Sequence, residues 1–203
     1  MAGAYVVAVD GLDALKDIES LPKEIVTAAR QAVNKTVRRT RASSARNIRR
    51  QVNLPARYVS GQKGRLTIGK LAQGNDLEAS IRGRERPTSL AQFVSAGSVG
   101  RKGGVSVQVK PGETRRMPRA FLIKLRAGTG SIDTKFNLGL AMRLRPGETV
   151  RNKRQFVKLA KNLYLLYGPS VNQVFASVAN EEAPGAATYL EKEFLRLMDL
   201  KNA

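Results

Sequence analysis

The longest regular feature of the sequence is an amphipathic segment that runs from Pro22 to Asn53. Small and aliphatic residues recur there at spacings of three and four, from Ile25 to Val52, as one face of an α-helix requires. Proline suits the first turn of a helix, so Pro22 indicates where the helix begins. Pro55 disfavours the helical conformation of the residue before it, so it indicates where the helix ends. The pattern therefore predicts one helix of about 30 residues, roughly 45 Å long, whose apolar face other elements must cover.

The polar side of this predicted helix is basic. Residues 25–75 contain twelve lysines and arginines and no acidic residue, and the net charge of the 203-residue chain is +20. The ends are acidic, with net charges of −3 for residues 1–24 and −2 for residues 181–203. Crowded like charges repel one another and attract polyanions, so we expect an anionic partner. The alternative, charge kept for solubility, requires a net charge of only about 2–8 in a small domain. The predicted DNA-facing or partner-facing basic patch consists of Arg38, Arg39, Arg41, Arg46, Arg49, Arg50 and Arg57.

Aromatic residues are absent from this basic segment. Residues 25–57 contain none, and Tyr58 is the first. Proteins that bind single strands stack bases on aromatic side chains, and no helix-turn-helix, zinc-finger or RNA-binding motif is present. The composition therefore favours contacts with duplex phosphates or with an acidic protein surface, and it leaves both open.

Downstream of the helix, the periodicity changes from that of a helix to that of strands. Residues 56–61 predict a short second helix, and residues 65–71 and 77–83 alternate as strands around a hairpin turn at residues 72–76. We predict further strands at residues 4–9, 105–110, 120–125 and 138–145, a short helix or turn at 11–21, and an extended loop at 83–104.

The C-terminal part becomes helical again. A helix is predicted from Ser170 to Asn180, Pro184 is expected to break it or to open a new one, and Tyr189 to Leu200 carry the apolar stripe of a final helix. The fold class is therefore α+β: a long N-terminal basic helix packed on a small antiparallel sheet of four or five strands, with C-terminal helices. The predicted divisions are an acidic N-terminal extension (1–24), an α+β domain (25–180) and a C-terminal helix (181–203).

The chemistry available to the chain is narrow. It contains no histidine and no cysteine, which removes the commonest general base, thiol nucleophiles and the usual zinc ligands. We therefore predict no enzyme activity, no catalytic residue, no metal and no cofactor. The glycine-rich stretch 97–104 is not followed by the Gly-Lys-Ser/Thr of a phosphate-binding loop, and it precedes a predicted strand, not a helix. The acids Asp10, Asp13 and Asp17 lack the glycine of a calcium loop, and Glu181 with Glu182 is interpreted as a solvated helix start. Neither a signal peptide nor a membrane span is predicted.

Several segments, taken in order, carry a family resemblance. They span roughly residues 25–180 and comprise residues 28–36 (AARQAVNKT), 54–59 (LPARYV), 66–68 (LTI), 104–107 (GVSV), 117–122 (MPRAFL) and 166–171 (LYGPSV). With the arginine-rich run between the first two, this order resembles the phage minor tail protein Z family, the tail-completion proteins of lambda-like phages.

The resemblance implies a non-enzymatic virion protein at the head-proximal neck of the tail, assembled in the host bacterial cytoplasm. It implies a role in tail completion, in head-tail joining and in seating the DNA end. The expected partners are further copies of the chain in a homohexameric ring, the tail terminator, the tail tube and the head-tail connector, and the phage DNA end. The alternatives are another neck component, either a head-tail adaptor or a tail terminator, and a non-specific nucleic-acid-binding protein.

Overall fold

The structure is a computed structural model. It describes residues 5–7, 21–61, 63–95, 104–125, 137–150, 152–153 and 155–202. The chain divides into two compact units. Unit 1 comprises Met1–Ile48, Ala56–Glu85 and Asn172–Ala203, and unit 2 comprises Arg49–Pro55 and Arg86–Val171. The α+β fold class is confirmed, whereas the predicted boundaries at residues 24 and 180 stay predictions.

Unit 1 is built around the predicted long helix, which is confirmed as α1 (Lys23–Gln51, of which Arg49–Gln51 belong to unit 2). Its buried face is made largely of small residues, with Ala28, Ala32 and Val37 fully buried. Side chains this small let neighbouring elements approach closely, as dense packing requires. The short helix α2 (Ala56–Ser60) follows, as predicted.

Unit 1 also contains a three-stranded antiparallel sheet. Its strands are β1 (Tyr5–Val7), β2 (Leu66–Lys70) and β3 (Ala79–Gly83), in the order β1-β3-β2. The predicted hairpin turn between β2 and β3 is confirmed: Gln73 and Asp76 bond to each other's backbone, and Gly74 adopts a φ of 55°. The amide of Asn34 donates to the carbonyl of Ala72 over 3.0 Å, which ties α1 to this hairpin.

Unit 1 ends in one continuous helix, α3 (Val171–Asn202, of which Val171 belongs to unit 2). The expected break at Pro184 is wrong, because the helix passes through it. A proline inside a helix costs about 3 kcal/mol. Contacts with α1 on both sides of Pro184 offset this cost, because Glu182 is bonded to Ser43 and Glu193 to Lys35.

Unit 2 contains the larger sheet. Its strands are β4 (Thr88–Ser89), β7 (Ala120–Lys124), β8 (Leu138–Arg143), β9 (Phe156–Ala160) and β10 (Leu163–Gly168), all antiparallel. A two-stranded sheet of β5 (Val105–Val107) and β6 (Arg115–Met117) and a 3-10 helix (Leu90–Phe93) complete the unit. Its core includes Phe93, Leu140 and Leu166.

Two expectations for unit 2 need correction. The segment 83–104 is not an extended loop throughout, since it contains β4 and the 3-10 helix, which the hydroxyl of Ser89 caps through the amide of Ala91. Strands β6, β9 and β10 were not predicted. The predicted helix or turn at 11–21, the acids Asp10, Asp13 and Asp17, and most of the glycine-rich stretch lie outside the described residues.

Candidate functional site

The exposed face of α1 carries three of the predicted arginines without an internal partner. Arg38, Arg46 and Arg49 are exposed, and no hydrogen bond or ion pair joins them to any other described residue. At 100° per residue, Arg38 and Arg49 fall within about 20° of each other around the helix and about 16 Å apart along it, and Arg46 falls about 80° from Arg38. The helix therefore holds three uncompensated guanidinium groups on one side.

Arg41 has a different environment, although it lies three residues from Arg38. Its side chain is half-buried, and its Nε donates to the carbonyl of Leu66 over 2.9 Å. Its Nη2 donates to the carbonyl of Ser60 over 3.3 Å. The guanidinium therefore ties α1 to β2 and α2, and it is occupied by the fold.

Three further predicted arginines also have internal contacts. The guanidinium of Arg39 stacks over the ring of Tyr189 on α3, 4.3 Å from the ring centre. Arg50 and Arg57 are exposed, and each interacts with another group of the chain. The seven predicted arginines therefore fall into two groups. Four have contacts within the chain, whereas Arg38, Arg46 and Arg49 have no partner in the described part of the chain. These three are called the open arginines below.

A buried carboxylate holds α3 against the basic helix. Glu193 is 7% exposed and accepts a bond of 2.6 Å from Lys35 Nζ on α1. It also accepts bonds of 2.7 and 3.0 Å from the guanidinium of Arg196. Bonds from Arg196 and then Lys35 to the charged form lower the pKa of Glu193 to about 2. Glu193 is therefore charged across the whole physiological range.

Glu182 forms the second polar contact between these helices. Its carboxylate accepts hydrogen bonds from the Ser43 hydroxyl and the Asn47 amide of α1. The interpretation of Glu181 with Glu182 as a solvated helix start is wrong, because Glu182 is half-buried inside α3. Lys35 contacts Glu193, whereas Ser43, further along α1, contacts Glu182, which is earlier in α3. The two helices therefore run antiparallel.

A groove of about 450 Å³ lies between these two helices. Its walls include Arg39, Ala42 and Arg46 from α1, and Glu182, Gly185 and Tyr189 from α3. On each helix the three residues follow the spacing 0, 3, 7, which is one helical face. All of these residues belong to unit 1, so Arg46 borders a groove that lies within that unit.

Two further features, a metal-binding cluster and a membrane-spanning helix, are absent from the described residues. Nowhere in that part of the chain do three or more acidic side chains gather closely enough to hold a metal ion. Likewise, no described helix is both long and apolar enough to cross a membrane.

Comparison with known protein families gives a match. The family model described as prophage minor tail protein Z (GPZ) matches residues 9–198, which is nearly the whole chain. No curated protein and no solved structure matches the chain.

Proposed function

Because the chain belongs to the prophage minor tail protein Z family, and is therefore a structural component of a phage tail, we propose that it completes the tail at its head-proximal end. In this position it forms a homohexameric ring at the neck of the virion, after assembly in the host cytoplasm. Its neighbours are the tail terminator, the tail tube and the head-tail connector. The family is one of structural proteins, which agrees with a role without catalysis.

The observation that carries the proposal beyond the family is the exposed face of α1. Twelve bases and no acid occur in residues 25–75, and the three open arginines form no ion pair with any described residue. In a ring of six chains, each with a net charge of +20, roughly 120 positive charges surround the axis, enough to attract a polyanion strongly. An anionic partner outside the chain would explain why these charges are not compensated within it.

We infer that this partner is the end of the phage DNA. Arginine matches phosphate with a rigid fork of donors, and the absence of aromatic residues from 25 to 57 leaves no platform for stacking bases. The arginines therefore contact the phosphate backbone of the DNA, and this contact does not depend on the base sequence. An acidic face of a neighbouring ring would meet the same arginines through protein carboxylates.

The test replaces the three open arginines together with glutamine. We expect Arg38→Gln, Arg46→Gln and Arg49→Gln to give tails that assemble and join DNA-filled heads poorly. The matched control is Arg115→Gln, Arg116→Gln and Arg143→Gln, which removes the same charge from exposed positions of unit 2. The control tails should join heads normally.

Binding of purified protein to random duplex DNA separates the two partners. If the three arginines meet phosphates, the slope of log affinity against log salt falls by about 0.9 for each phosphate that is no longer neutralised, and the control keeps its slope. Normal head joining by the triple variant would refute the proposed role of these arginines. An unchanged slope with defective joining would assign them to an acidic protein ring.

A further inference from the structure

The larger sheet of unit 2 has two open edges within the described part of the chain. Its middle is a continuous rung of paired residues: Val157 of β9, Leu165 of β10, Ala141 of β8 and Phe121 of β7. Strand β9 pairs only with β10, and β7 only with β8, among the described residues. Each of these edge strands is five residues long.

Exposed apolar side chains concentrate at these two edges. Of the five large hydrophobic side chains that are strongly exposed in the described chain, three lie in or beside the edge strands. Val157 is 46% and Leu159 is 52% exposed on β9, and Leu125, which follows β7, is 41% exposed. Unprotected apolar edges invite pairing with another strand. Each strand has a single lysine, Lys158 or Lys124, which is weak protection.

The directions of the strands indicate what fits these edges. Because all neighbours in the order β9-β10-β8-β7 are antiparallel, the two edge strands run in opposite directions. A second copy placed beside the first in the same orientation therefore brings its β7 antiparallel to β9 of the first. The sheet continues across the boundary with its alternation intact, and antiparallel pairing is the slightly more stable kind.

We propose that β9 of one copy pairs with β7 of the next, so that the sheets of successive copies form the contacts of the ring. The contact joins two unlike surfaces, which is the head-to-tail type that forms a ring when the rotation from copy to copy closes. It covers Val157, Leu159 and Leu125 at every boundary. The inference rests on the proposed ring, and it adds the surface through which that ring is built.

The chain itself provides the background for a cross-linking test, because it contains no cysteine. Each full-length variant carries one cysteine. Ile123→Cys is mixed with an equal amount of Val157→Cys, and in a separate experiment Leu125→Cys is mixed with Leu159→Cys; both mixtures are treated with a short bis-maleimide. We expect mixed dimers between the β7 and β9 variants. The control variant is Leu195→Cys, on the exposed side of α3 at 54% exposure, which should give no dimer with either edge.

A second measurement does not depend on cross-linking geometry. The paired changes Val157→Lys and Leu159→Lys place charges on an edge that already tolerates solvent, so the fold should persist by circular dichroism. Self-association by sedimentation should weaken by at least about tenfold, which corresponds to about 1.4 kcal/mol. Leu195→Lys should leave association unchanged.

The outcomes separate this inference from the proposed function. Dimers that form only between like sites, β9 with β9 or β7 with β7, would overturn the edge pairing. Closed rings in sedimentation without any mixed dimer would also overturn the edge pairing, but they would support the proposed ring. A chain that carries both Ile123→Cys and Val157→Cys can be cross-linked into longer oligomers; a ladder of such oligomers that never closes would support the edge pairing and count against the ring.

Discussion

Removing the charge of Glu193 should loosen helix α3 from helix α1. Glu193→Gln keeps the shape of the side chain and removes the negative charge that accepts three hydrogen bonds, one from Lys35 and two from Arg196. The pKa of Glu193 falls from 4.5 to about 2 in the fold, which corresponds to about 3 kcal/mol of stabilisation at neutral pH. The side chains of both cations are 48% exposed, so solvent screening reduces the expected loss to about 2 kcal/mol.

The loss should depend on pH in one direction. The folded pKa of Glu193 lies below that of the unfolded chain, so its stabilisation is fully present above pH 4.5 and disappears as the pH falls towards 2. Urea unfolding of wild type and Glu193→Gln should therefore differ by about 2 kcal/mol at pH 7 and by less than about half of that at pH 3.

Glu191→Gln is the matched control, because it removes the same charge from an exposed position of α3. Its unfolding free energy should change by no more than about 0.5 kcal/mol. Equal losses in the two variants, or a loss at Glu193 that stays constant from pH 7 to pH 3, would refute the ion-pair reasoning.

Three further predictions concern single positions, and urea unfolding tests each of them. Arg41→Ala should cost about 1–2 kcal/mol because two backbone carbonyls lose a charged donor, whereas Arg46→Ala should be nearly neutral; equal effects would contradict the division of the predicted arginines. Gly83→Ala should cost about 1–3 kcal/mol, since the added Cβ would lie 2.7 Å from the Cα of Asn172. Gly185→Ala meets open space on helix α3 and should gain about 0.5–1 kcal/mol; a loss there would mean that the glycine has a packing role.

The long helix could be predicted because its signals are local. A periodicity of 3.6 continues through it, and a proline stands just outside each end, so the prediction of Pro22 to Asn53 differs little from the observed Lys23–Gln51. The hairpin turn between β2 and β3 was equally local, with glycine supplying the positive φ at Gly74.

Strands β9 and β10 could not be found in the same way. Residues 163–167 have the sequence Leu-Tyr-Leu-Leu-Tyr, without the alternation of a half-exposed strand. This run belongs to the central strand of its sheet, and a strand buried on both faces loses that alternation. The turn that joins β9 to β10 is Lys161-Asn162, which contains neither glycine nor proline and therefore gives little turn signal.

The candidate patch was predictable as a helix face but not residue by residue. Arg38 and Arg41 look alike in the sequence, yet only Arg41 finds carbonyl partners, from β2 and α2, which the fold brings to it. A signal for α3 was present, because Glu182 and Glu193 are eleven residues apart and so share a helical face. The expected break at Pro184 concealed it.

The distribution of acids links the cost of the basic helix to its use. Helix α1 contains one acid, Glu24, so compensation must come from elsewhere in the fold. Helix α3 supplies it along one flank, where Glu193 meets Lys35 and Glu182 meets uncharged donors. Both carboxylates hold the helix pair together, and neither bonds to an open arginine. The repulsion between Arg46 and Arg49, which lie three residues apart on α1, therefore persists in the isolated chain. A bound phosphate backbone would relieve it, so binding and the stability of α1 should be coupled through these two charges.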